Sequence, residues 1–168
     1  MKNIIRLLTV VVIFITTNVY SQKCKYDYQK KDEITGEETK GSTFDVKRGW
    51  KFGLNKNGNQ YSVGILINLN GNVRDIITPE NTIIFKLENG EIITVKANQD
   101  YVPTAQATEY GIVSIYNSRY TISKEDLQKM ASSPLIYIRI SIGLQTYDES
   151  LVAKKGKSFQ EQASCILQ

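Results

Sequence analysis

The 168-residue chain has no histidine, two cysteines, three prolines and a single tryptophan. Without histidine there is no Ser-His-Asp triad, no Cys-His dyad, no imidazole base near neutral pH and no usual catalytic zinc site. Its eleven glycines stand singly at turns, so no glycine cluster is available to cradle a phosphate between a strand and a helix. S-x-x-K is also missing, which removes the signature of a serine-lysine hydrolase. What remains, 41% hydrophobic residues with charges of both signs, excludes a disordered or collagenous chain and allows one ordinary core.

The chain opens with a basic start, Lys2 and Arg6, followed by Leu7 to Ile15, apolar except for Thr9. Residues 1–21 therefore read as a secretory signal, with Val19 and Ser21 three and one residues before a cut near Gln22. A membrane anchor needs about 20 consecutive apolar residues, and Arg6 with Thr16, Thr17 and Asn18 leaves too few. Lipidation of Cys24 is disfavoured by the bulky charged Lys23 before it. The mature chain, 22–168, is then a single β-rich domain without a membrane span. Losing Lys2 and Arg6 leaves 19 cations against 17 anions, a net charge of +2, which is no nucleic-acid signature. The basic group Lys154, Lys155 and Lys157 around Gly156 reads as a solvated turn before a helix.

Cys24 and Cys165 form an even pair in an oxidising compartment, most simply a disulfide joining the two ends of the mature chain. The alternatives are two buried thiols or a redox pair, the latter without the usual C-x-x-C spacing.

Apolar period two dominates. Alternation predicts a first strand over 22–31 and a turn or ribbon tip over 32–41. It also predicts a hairpin at Asn57-Gly58 with a type I′ turn, pairing Leu54 with Tyr61, Phe52 with Val63 and Trp50 with Ile65. A second hairpin at Asn89-Gly90 pairs Leu87 with Ile92, Phe85 with Thr94 and Ile84 with Val95, its strands covered on both faces. A long strand over 109–122, interrupted near Asn117-Ser118, precedes a short helix that Ser123 and Asp126 cap and Pro134 ends. Leu135 to Ile142 then forms a strand with Ile136, Ile138, Ile140 and Ile142 on one face, and 146–153 is its hairpin partner. Ser158 with Glu161 starts a last helix that buries Phe159, Ala163 and Ile166. The fold class is α+β and β-dominated: an antiparallel, sandwich-like arrangement of hairpins with one short helix and one C-terminal helix.

No cofactor or metal site is expected. Asn68, Asn70 and Gly71 sit in a poor calcium loop, because Leu66 and Ile77 occupy positions that need acids. The acids Asp32, Glu33, Glu37 and Glu38 are neutralised by Lys30, Lys31 and Lys40. Two carboxylates can divide acid and base roles without histidine, and Asp100 with Glu109 is the best pair for a glycosidase. The segment 98–110 is the longest stretch without a pattern, and it offers Asp100, Tyr101, Glu109 and Tyr110 as a recognition surface. Tyr137 and Arg139 on the wet face of a strand form a second patch, with Arg139 expected to pair with a cross-strand acid.

The leader ending Ser21-Gln22, early Cys24, the 32–36 segment Asp-Glu-Ile-Thr-Gly and the 87–90 hairpin Leu-Glu-Asn-Gly form one set of motifs. The 122–127 helix start, Ile138-Arg139-Ile140 and terminal Cys165 complete it. Together they resemble small exported proteins of unknown function from the Bacteroidota. The resemblance implies location and single-domain organisation and carries no activity. The functional expectation is an exported, non-catalytic binding or accessory domain for a protein or glycan of the cell envelope, found in the periplasm, at the cell surface or outside. The alternatives are an exported inhibitor or immunity-type protein and the histidine-free carboxylate glycosidase.

Overall fold

The computed structural model describes residues 24–168; the leader expected over 1–21 and its expected cut near Gln22 lie outside the described residues. In chain order the elements are β1 (Tyr28–Lys31), β2 (Glu38–Lys47), β3 (Trp50–Asn57), β4 (Gln60–Asn70), β5 (Thr82–Leu87), β6 (Ile92–Lys96), β7 (Thr104–Thr108) and β8 (Gly111–Ile122), followed by α1 (Lys124–Ser132), β9 (Leu135–Ile142), β10 (Gln145–Ser150) and α2 (Ala153–Leu167). They form a six-stranded sheet, β1-β2-β3-β4-β8-β7, and a four-stranded sheet, β10-β9-β5-β6, both antiparallel. The α+β, β-dominated expectation holds.

Period-two burial makes this a two-layer structure. Trp50, Phe52 and Leu54 of β3 and Val63, Ile65 and Ile67 of β4 face Ile83, Phe85 and Leu87 of β5 and Ile138, Ile140 and Ile142 of β9 in one continuous core. The sheets approach closely where Ala97 bridges to Tyr120. On the opposite side α2 wedges between β2, β3 and β9, and Phe159 stacks on Phe85 and meets Phe44 edge-on. The Cys24–Cys165 disulfide, with Cα atoms 5.5 Å apart, fastens the start of the described chain to the end of α2. Tyr26 reinforces it by donating from its hydroxyl to the Cys165 carbonyl at 2.8 Å.

Several expectations need correction. The first strand is confined to β1, because Cys24 and Tyr26 are spent on α2 and not on a ladder. Residues 32–37 form the expected turn, but Glu38 to Gly41 already belong to β2. The first hairpin pairs Leu54 with Val63, Phe52 with Ile65 and Trp50 with Ile67, placing Gly58 and Asn59 in the loop. Gly58 has φ +56° and Asn59 does not share a positive φ, which is the II′ pattern instead of I′. Each strand residue meets a partner two positions further along, an even shift that leaves every side chain on its expected face.

At Asn89-Gly90 the shift is odd: Phe85 pairs with Ile93 and Ile83 with Val95. A three-residue loop, with Gly90 at φ +90°, replaces the two-residue one. Consequently Ile93 turns inward while Ile92 stands 64% exposed, so β5 and β6 are covered on one face only. A bulge opposite Leu87 likewise turns Leu135 into the core and Ile136 out of it. β8 runs without interruption along β4.

Helix α1 keeps its predicted start: the Ser123 hydroxyl accepts from the Asp126 N–H at 3.0 Å. Helix α2 begins five residues before Ser158, with Val152 as N-cap and no side-chain cap bond. Lys154, Lys155 and Lys157 therefore lie within its first turns and not in a preceding loop.

Candidate functional site

In an antiparallel meander alternate connections share an end of the sheet. The β2–β3 turn, the end of β4 and the β7–β8 turn thus meet, and between them opens a cleft of about 720 Å³. Gly49, at φ +79°, lets the first turn lie on β4: an added Cβ would come within 3.3 Å of the Asn68 Cβ. The Asn68 N–H donates to the Gly49 carbonyl at 2.8 Å, locking the two together. Lys47 places its ammonium 3.8 Å from the Trp50 ring centroid and 2.6 Å from Glu149, so its charge is already used. Trp50 meets Tyr147 edge-on at 6.4 Å between centroids. Trp50 is buried and shapes the wall, whereas Tyr147 is half-buried and Tyr110, at the β7–β8 turn, is 90% exposed. Asn68 and Asn70 offer exposed carboxamides. Arg48 is exposed and has no salt-bridge partner among the described residues. No carboxylate among the described residues lines the cleft.

Of the candidate binding residues Asp100, Tyr101, Glu109, Tyr110, Tyr137 and Arg139, only Tyr110 enters this cleft. Segment 98–110 is not one loop, since its second half is the edge strand β7. Tyr101 lies at the far end, half-buried against the core and bridged to Ile77, with its hydroxyl on the Asn98 side chain and the Arg119 carbonyl. Asp100 and Glu109 are both exposed at opposite ends of β7. The five strand residues of β7 alone span about 13 Å at about 3.3 Å per residue, beyond the 5 to 9.5 Å or so that glycosidase carboxylates need. The structure therefore does not bring the acid pair together.

Tyr137 and Arg139 occupy the outer face of the four-stranded sheet. Arg139 sits directly opposite Asp148 in the ladder and donates to both carboxylate oxygens at 2.8 Å, and to the Tyr137 hydroxyl at 3.0 Å. Ile84, Lys86, Ile92, Ile136 and Ser150 complete a shallow depression of about 570 Å³. The Arg139 guanidinium, then the Tyr137 hydroxyl, hold the Asp148 carboxyl down to about 2. Because that value lies below the ordinary 3.8, the pair's contribution is complete above the ordinary value and fades as pH falls toward 2. An NMR titration of the Asp148 carboxyl should therefore show a midpoint near 2, and Arg139→Gln should return it to the ordinary aspartate range. An unmoved midpoint in that variant would remove the guanidinium as the cause.

Tyr116 and Tyr120 are core residues, and burial pushes both hydroxyls up to about 12. Among the described residues no three Cys, Asp or Glu side chains gather to hold a metal ion, and no helix is long and apolar enough to cross a membrane. No protein-family model, curated protein or solved structure matches the chain.

Sequence reasoning missed Arg48, Asn68, Asn70, Trp50 and Tyr147 as one group. A signal was present: Ser42, Phe44 and Val46 alternate up to Arg48-Gly49, marking a strand and turn at the same end as Asn70-Gly71 and the 109–110 turn. Trp50 and Tyr147, by contrast, belong to different sheets, and no local pattern joins them.

Proposed function

We propose that the protein is an exported, non-catalytic binding domain whose end cleft takes an acidic glycan of the cell envelope. The carrying observation is the composition of that cleft: aromatic rings of Tyr110 and Tyr147, the carboxamides of Asn68 and Asn70, and the unpaired Arg48 guanidinium, with no carboxylate among them. Tyrosine rings pack on the apolar faces of sugars, carboxamides exchange hydrogen bonds with hydroxyls, and a guanidinium grips a carboxylate in a fork. The volume falls within the range of small-ligand sites. Export rests on the leader, on the likeness to exported Bacteroidota proteins and on a disulfide that an oxidising compartment preserves.

Calorimetric titration with uronate-containing and neutral oligosaccharides of equal length tests this reading. The acidic series should bind about tenfold more tightly, a difference of roughly 1.4 kcal/mol. Arg48→Ala should erase that preference, and Tyr110→Ala should weaken both series. No binding by either series, or equal binding of both, would overturn the reading.

A further inference from the structure

β7 is an edge strand of the six-stranded sheet, fully exposed over all five residues. Native edges normally carry charges that discourage pairing with another chain. The other edges of the described sheets do so: β1 has Lys30 and Lys31, β10 has Asp148 and Glu149, and β6 has Lys96. β7 carries none. Its sequence, Thr104-Ala105-Gln106-Ala107-Thr108, also reads the same in both directions.

We propose that β7 pairs antiparallel with β7 of a second copy of this chain, about a twofold axis through Gln106. That register sets Thr104 against Thr108, Ala105 against Ala107 and Gln106 against its own counterpart. Every cross-strand pair is thus between like, uncharged residues, and Thr–Thr pairs are favourable across strands. One contact therefore satisfies the open backbone groups of an uncharged edge in both copies. Isologous pairing of this kind closes on itself and ends at a dimer.

A single strand pair buries less than the 1,200 Å² or so of a stable interface, so the dissociation constant should be about micromolar or weaker. Gln106 does not line the cleft, so the test is separate from that of glycan binding. Sedimentation velocity from about 1 to 500 µM spans this range of affinity; at low ionic strength it should show a reversible monomer–dimer equilibrium. Gln106→Lys and Gln106→Glu, at an exposed position that tolerates either, each oppose like charges across the axis and should weaken dimerisation at least tenfold. Their equimolar mixture sets opposite charges together and should dimerise at least as strongly as the unsubstituted protein. A monomer at every concentration, or two variants that each dimerise like the parent, would overturn the proposal.

Discussion

Replacing Cys24 and Cys165 together by serine should lower the melting temperature by on the order of 10–20 °C, followed by circular dichroism with and without reductant. The bond closes a loop spanning a sequence separation of 141, and the chain-entropy relation assigns about 5 kcal/mol to a loop of that length. For a domain of this size each kcal/mol corresponds to about 2–4 °C. The loss should be concentrated locally, since Tyr26 and the end of α2 depend on the same contact. Amide exchange should accelerate first over β1 and the last turn of α2. A change of less than about 3 °C would mean that the reduced unfolded chain is already compact enough to forgo the cross-link.

Gly156→Ala should destabilise the folded protein by about 3 kcal/mol, in the upper range for an overpacked core. In an isolated helix the same change would stabilise by roughly 1 kcal/mol, because glycine is a poor helix former. The sign reverses because α2 lies directly on β9: an added Cβ would sit 2.1 Å from the Leu135 carbonyl oxygen. That neighbour is backbone and is held in place by its strand, so the helix itself would have to move. Phe159 and Ala163, both fully buried, would move with it. Gly41→Ala is the matched control. Its added Cβ would meet the Tyr28 ring at 2.5 Å, but Tyr28 is 46% exposed and can swing into solvent. That substitution should cost about 1 kcal/mol, the worth of the Tyr28–Asn55 hydrogen bond. Urea denaturation of the two variants decides the matter, and equal effects would contradict the role assigned to the close contact at Gly156.

Gly156 also shows where local reading stops. In sequence it stands among three lysines and reads as a turn, yet it is a helical residue chosen for its lack of a side chain. The two asparagine-glycine hairpins make the same point in another way. Both were visible from their turn residues, and both registers differ from the simplest expectation. The first error was even and harmless to the faces. The second was odd and decided which isoleucine, Ile92 or Ile93, entered the core.

By itself, then, the sequence determined the types of the elements other than β2 and β7, the inward faces of β3, β4 and most of β9, the Ser123 cap and the candidacy of Cys24 and Cys165 as a pair. Each of these depends on a period, a cap or a residue count carried within a few positions or within composition. The tertiary structure alone decided the rest. It separated Asp100 from Glu109 by the length of β7, tied Tyr101 into the core side of the fold, and assembled Arg48, Asn68, Asn70, Tyr110 and Tyr147 around one cleft. Those residues come from strands and turns spread along the chain from Arg48 to Tyr147. What brings them together is the antiparallel order of the strands and the closure of one sheet over the other, and neither is encoded in the periodicity of a single segment.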